Sequence, residues 1–232
     1  MKTTSIVILT GAGISAESGL RTFRDSDGLW ENYRVEEVAT PKAWDDDPEL
    51  VLRFYNQRRR DIERAAPNAG HLALAELEKD FEVQIVTQNI DDLHERAGSS
   101  SVLHLHGIIT KAQSSKDPEL LRDIGYRDIL AGDRCPLGSQ LRPHIVWFGE
   151  AVPAMEQAVA LVQQAELLMI IGTSMQVYPA AGLADFYRGA SPVYYVDPSL
   201  PPAHVFHRFE HIKEPASSGV AKACSLIRSA GC

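Results

Sequence analysis

Apolar positions along this chain fall into short runs of four or five residues, apolar throughout or with one polar interruption. Five of them, Ile6–Leu9, Val83–Val86, Val102–Leu105, Leu167–Ile171 and Val193–Val196, read as strands. Such runs leave little polar surface for solvent, so each strand is expected to be covered on both faces. Helical patterns lie between several of them, for example Ala69–Leu77 and Ala154–Ala165. Strands alternating with helices predict a parallel sheet, because a parallel crossover needs a connection of helix length. Two segments break the alternation. Residues 25 to about 68 are rich in Asp, Arg and aromatics, and residues 110 to about 141 are polar and punctuated by Pro and Gly.

The fold class expected is α/β: a Rossmann-like parallel sheet with helices on both faces, plus a small inserted lobe. The large domain would take approximately residues 1–24, 69–109 and 142–232, and the small lobe approximately 25–68 and 110–141. A cleft between lobes is a place where two ligands can meet. The length of 232 residues suits one such unit with an ample core. A net charge of −8 argues against general nucleic-acid or anionic-membrane binding. No run of about 18 apolar residues is present, which argues against a membrane span. The three cysteines, Cys135, Cys224 and Cys232, form no disulfide framework, and the N-terminal stretch runs directly into a Gly-rich loop rather than a secretory signal. A cytoplasmic address is expected.

Candidate chemistry sits at the strand ends. Ser5–Leu9 runs into Gly11 and Gly13, where small residues let backbone amides approach a pyrophosphate. Ala16 stands where a third Gly of the dinucleotide fingerprint would be. Gly172-Thr173-Ser174 follows the most apolar strand, at the carboxyl end where ligands bind in such sheets, though alone it reads equally as a turn with capping hydroxyls. Asp197 follows the last strand, where an acid can accept from ribose hydroxyls. Gln88, Asn89 and Asp91 follow the second strand; they can orient hydroxyls and a carboxamide, or simply cap a helix. His104 and His106 alternate on one strand candidate and so point the same way. A neutral imidazole can accept a proton from a hydroxyl near pH 7. His204, His207 and His211 have a loose metal-like spacing without a nearby cysteine and read as surface.

Five segments in this order, residues 9–24, Thr87-Gln-Asn-Ile-Asp91, His104-Leu-His-Gly107, Val146-Trp-Phe-Gly-Glu150 and Gly172-Thr-Ser174, resemble the sirtuin family of NAD-dependent protein lysine deacylases. The resemblance implies NAD as cosubstrate, held by Gly11, Ala12, Gly13, Ser15, Phe23, Arg24, Gln88, Asn89, Asp91, Gly172, Thr173, Ser174, Asp197 and Ala216. The family more often has Asn where Asp197 stands. His106 is implied as the catalytic base, with Asn89 and Asp91 beside it, while His104 is read as a satisfied core histidine. In the implied reaction the acyl-lysine oxygen attacks the ribose carbon bearing nicotinamide, and His106 then deprotonates a ribose hydroxyl that attacks the bound imidate. The products are lysine, nicotinamide and an O-acyl-ADP-ribose. Val146, Phe148, Gly149 and Glu150 are implied to bind acyl-lysine proteins or peptides by strand addition.

A helix opening at Asp47-Pro48 places Val51, Phe54, Tyr55, Arg58 and Ile62 on one stripe at about 100° per residue, with Arg60 on the opposite side. A guanidinium on an apolar face needs an anion, supplied by a structural Asp or Glu or by a ligand carboxylate. Tyr55-Asn-Gln-Arg58 resembles the Tyr-x-x-Arg signature of the sirtuins that remove succinyl and related acidic groups, and Ala39 matches the small residue that widens their pocket. Most sirtuins also carry a zinc on two Cys-x-x-Cys pairs, but here that interval holds only Cys135, with Gly138 in place of a second cysteine. No zinc is expected, and the small lobe would be held by packing, with Asp117–Ile129 as a helix candidate. An NAD-dependent oxidoreductase and an ADP-ribose-binding module are the competing readings. The first lacks an evident dehydrogenase pairing, and retention of His106, Asn89 and Asp91 argues against the second.

Overall fold

The computed structural model describes residues 4–21, 29–30, 33–200 and 209–230. Phe23, Arg24, His204, His207 and Cys232 lie outside them. Along the chain, β1 (Ser5–Thr10) leads through two short 3-10 turns, β2 (Leu29–Trp30) and β3 (Tyr33–Arg34) to three helices, α1 (Val35–Val38), α2 (Pro41–Asp46) and α3 (Pro48–Arg64). Then come α4 (Ala69–Leu77), β4 (Glu82–Thr87), α5 (Leu93–Ala97), β5 (Val102–His104), β6 (Gly107–Ser114), β7 (Leu121–Asp123) and β8 (Leu141–Ile145). The chain closes with α6 (Met155–Gln164), β9 (Leu167–Ile171), β10 (Val193–Val196), β11 (Phe209–Ile212) and α7 (Ala216–Ser229).

Six strands pair in parallel in the order β11-β10-β9-β1-β4-β5. The alternation of side chains along β1 sends Ile6 and Ile8 to one face, against Leu74 and Leu77 of α4 and Val220 and Ile227 of α7. Val7 and Leu9 go to the other, with Ala158 and Val162 of α6 and Leu183. Both faces are therefore apolar, which is why these strands read as near-continuous hydrophobic runs. Each fully buried large aliphatic side chain contributes roughly 1.5–3 kcal/mol. Central β1 is thus firmly held, and the loop leaving Thr10 starts from a fixed point.

Helix α3 begins where its cap residues put it: Asp47 accepts from Leu50 N–H at 2.9 Å and Pro48 occupies the first turn. Its stripe of Val51, Phe54, Tyr55 and Ile62 packs with Leu93, Ile109, Ile145 and Trp147. Leu52 faces a further small core with Ala112, Ile124, Ile129, Cys135 and Leu141 over the antiparallel sheet β7-β6-β8. Among the described residues no helix is long and apolar enough to cross a membrane.

Three local expectations change. Asp117–Ile129 is not a helix: only β7 is regular there. Pro118 disfavours helical backbone at Asp117, and Gly125 turns the chain with φ +54°. His106 is not on β5, which ends at His104; it sits in the turn into β6, where Gly107 has φ +78°. Residues 146–150, which apart from the resemblance read as a short apolar strand ending in a Gly turn, are instead irregular chain and turn beyond β8, with Gly149 at φ +92°.

Candidate active site

Three strand ends meet at a floor of glycines. Gly11 N–H donates to Ile171 O at 3.0 Å and Gly13 N–H to Gly172 O at 2.8 Å, so the loops after β1 and β9 are bonded directly together. A Cβ on Gly13 would lie 2.6 Å from the Gly172 Cα, and one on Gly172, whose φ is +60°, would lie 2.4 Å from Ile14 N. Neither position tolerates a side chain. Beside them the Thr173 hydroxyl accepts from Gln88 Nε2 at 3.2 Å and from Met175 N–H at 3.2 Å. Asp197, buried at the carboxyl end of β10, accepts from Ser199 N–H at 2.8 Å.

Ser15 ties this floor to the segment after β4. Its hydroxyl donates to Asp91 Oδ2 at 3.0 Å and accepts from Asn89 Nδ2 at 3.1 Å. Asp91 also accepts from Leu93 N–H at 3.2 Å. Burial raises the Asp91 carboxyl above its ordinary range, while these bonds and the charge of Arg58 pull it back. Below, Thr10 donates to Thr87 Oγ1 at 2.8 Å, and the same oxygen accepts from Asn89 N–H at 3.0 Å.

His106 Nδ1 lies 3.0 Å from the Gln88 carbonyl. A carbonyl only accepts, so Nδ1 carries the proton and Nε2 is the basic nitrogen of the neutral ring. Burial lowers its pKa below the usual imidazole value, opposed by the Gln88 bond. A neutral, basic imidazole at pH 7 is the form a proton acceptor needs.

On the α3 side, Tyr55 and Arg58 are buried one turn apart. The Tyr55 oxygen accepts from Trp147 Nε1 at 3.1 Å, and burial raises its pKa, so the phenol stays protonated. Arg58 Nη2 donates to the Arg21 carbonyl at 3.2 Å. Arg60 faces away, as its helical angle predicts, and pairs with Asp128 at 2.7 Å.

The Trp147 turn is braced from behind. Glu150 accepts from Trp147 N–H at 2.8 Å and from Arg142 at 2.9 Å, and the Arg142 guanidinium stacks 3.9 Å over the indole. Val146 N–H donates to His106 O and Phe148 N–H to Ala39 O, both at 3.0 Å.

Every described candidate residue lines one cavity of about 410 Å³. Its lining spans the Gly11–Gly13 loop with Ala12, Ser15, Gly172–Ser174, Asp197 and Ala216, then Gln88–Asp91 and His106, then Ala39, Tyr55, Arg58 and residues 146–150. Trp147 and the exposed Tyr178 also line it, and sequence reasoning had not singled them out. Trp147 lay inside a recognised segment, whereas Tyr178 follows the Gly-Thr-Ser turn in a stretch without a pattern. Where the resemblance would place zinc, the Cys135 thiol lies 3.1 Å from Ser139 Oγ, which lies 2.7 Å from Ser114 Oγ. Among the described residues no group of three or more His, Cys, Asp or Glu could hold a metal ion.

With this geometry the class is an α/β protein whose sheet ends form a nucleotide-type floor beside a basic histidine. The family model described as "Sir2 family" matches residues 11–179. A Helicobacter pylori protein named "NAD-dependent protein deacylase" is 55% identical over 91% of this chain and 92% of its own length. A Bacteroides thetaiotaomicron protein of the same name is 49% identical over 96% of this chain and 97% of its own. A Sir2 homologue solved with NAD superposes with a TM-score of 0.87 at 37% identity, covering 99% of this chain and 91% of that one. Another, solved with ADP-ribose, gives 0.88 at 36% identity, over 99% and 94%. The chain belongs to the Sir2 family.

Proposed function

We propose that this protein is an NAD-dependent protein lysine deacylase acting on acetyl- and succinyl-lysine, with the acyl group passing to ADP-ribose. The observation that carries the reading is one cavity holding both a neutral histidine base and the buried Tyr55–Arg58 pair. The names borne by the relatives support the coarser part of it.

The residues present fit NAD. The glycine floor gives a backbone surface without side chains, and buried Asp197 sits at a strand end where an acid suits a ribose diol. Bound there, NAD would supply an electrophilic ribose carbon with nicotinamide as leaving group. Asn89 and Asp91, fixed through Ser15, would orient ribose and carboxamide. His106 Nε2 would take the proton of a ribose hydroxyl. The rim at residues 146–149, with Phe148 exposed, would receive the peptide backbone. Ala39 and Ile62 would flank the acyl chain, and Arg58 with the protonated Tyr55 would meet a terminal carboxylate. The free thiols of Cys135 and Cys224 fit a reducing, cytoplasmic setting.

The test is nicotinamide release from NAD with acetyl- and succinyl-lysine peptides of one sequence. Release is expected only when acyl peptide is present, and on both substrates. Release without peptide, or on neither substrate, overturns the reading.

A further inference from the structure

The carbonyls of Gln88 and Asn89 are consecutive, and each is held by an imidazole of the His-Leu-His segment. His106 takes the first, as described. His104 Nδ1 lies 3.1 Å from the Asn89 carbonyl, and its Nε2 lies 2.7 Å from Glu95 Oε1 on α5. Both partners are acceptors, so both ring nitrogens must carry hydrogens, and the ring is an imidazolium. Its side chain is only 12% exposed, while that of Glu95 is 38% exposed. Asn89 is thereby anchored at three groups: its N–H on Thr87, its side-chain amide on Ser15 and its carbonyl on His104.

We infer that His104, clamped between Glu95 and the Asn89 carbonyl, is a positioning residue that fixes Asn89, and with it Ser15 and Asp91, against the cosubstrate. The inference rests on the deacylase reading of this site. His104 touches neither of the proposed substrates; it acts through the backbone of Asn89. Losing the Nδ1 proton would turn a lone pair onto the Asn89 oxygen, since the remaining proton stays with the Glu95 carboxylate. That repulsion shifts the carbonyl and the side chain beyond it.

The charged and titratable groups around His104 are Glu95 and His94 on α5, Asp91 in the loop, and His144 on β8. Burial alone would lower its pKa, but the Glu95 carboxylate, the Asn89 carbonyl and the Asp91 charge outweigh it, and the net shift is upward. The active form is the protonated one, so activity is present below this raised pKa and is lost as pH rises through it.

The experiment compares wild type, His104→Leu, His104→Gln, Glu95→Gln and His106→Ala, with NAD and one acetyl-lysine peptide. Displacement of a positioning group is expected to lower kcat for nicotinamide release roughly 10- to 100-fold in His104→Leu. His104→Gln, which retains an amide donor, should recover part of that loss. Glu95→Gln keeps an acceptor but removes the charge, so its alkaline limb should move to lower pH with little change in kcat at the optimum. A purely structural histidine would not move that limb. Should His104→Leu fail to fold, the pH profile of Glu95→Gln decides alone. If His106→Ala is inactive while the His104 variants match wild type and the limb stays put, the positioning role is wrong and the deacylase reading stands. If wild type releases no nicotinamide, the deacylase reading has failed.

Discussion

Replacing Arg58 with Met separates recognition of an acidic acyl group from everything else the site does. Met keeps an unbranched side chain of similar girth on the α3 stripe and removes the guanidinium. Arg58 is 8% exposed, so a carboxylate meeting it would be largely shielded from water. A charge-assisted hydrogen bond contributes about 1.5–3 kcal/mol. The substitution should therefore lower kcat/KM for succinyl-lysine roughly 10- to 150-fold by that contact alone. Arg58 has a second effect, because its charge helps hold the Asp91 carboxyl down. Its loss would raise Asp91 further and weaken turnover of every substrate alike. The ratio of succinyl to acetyl turnover cancels that shared loss, together with any loosening of α3. The assay is steady-state kinetics on matched acetyl and succinyl peptides with wild type and Arg58→Met, each checked for thermal stability. A fall in the ratio supports the carboxylate contact. Equal losses on both substrates would make Arg58 a structural cation and remove the desuccinylase assignment.

The pH profile and the metal content provide further tests. Because burial lowers the His106 pKa and the neutral ring is the base, the acid limb of kcat/KM should lie below the usual imidazole value; an acid limb at or above that value contradicts the role. Purified protein should contain no stoichiometric zinc, because Cys135 is the one thiol between the His-Gly and Trp-Phe-Gly-Glu segments; elemental analysis finding about one zinc per chain, resistant to mild chelation, would overturn this.

Five of the six sheet strands were legible from their short apolar runs, clearest where a strand is buried throughout, as Leu167–Ile171 is. The edge strand β11, Phe-Glu-His-Ile and largely exposed, leaves no such run and was missed. Helix α3 was legible because its cap, its Pro and its stripe agree. The site was legible as separate segments but not as a network. Ser15 was named only through the resemblance, and its link to Asn89 and Asp91 does not show in the sequence, since these partners lie more than 70 residues away. Nor does Arg59 stand out in an Arg-Arg-Arg run, yet it is fully buried and donates to Ile109 O at 2.9 Å and to Asn56 Oδ1 at 2.6 Å. Burial lowers its pKa to about 10. The false helix at 117–129 shows the opposite limit. Its apolar residues, among them Ile124 and Ile129, are buried in a small core that an irregular chain fills as well as a helix would.

The most direct test of acyl transfer to ADP-ribose is a product balance by mass spectrometry, with NAD and a succinyl-lysine peptide, for wild type and His106→Ala. Wild type should yield one nicotinamide and one O-acyl-ADP-ribose for each lysine freed. His106→Ala should bind NAD and lose turnover by at least about 10²-fold, as expected for a missing general base. Free succinate with NAD unconsumed, a reduced nicotinamide, or near wild-type turnover in His106→Ala would contradict the mechanism.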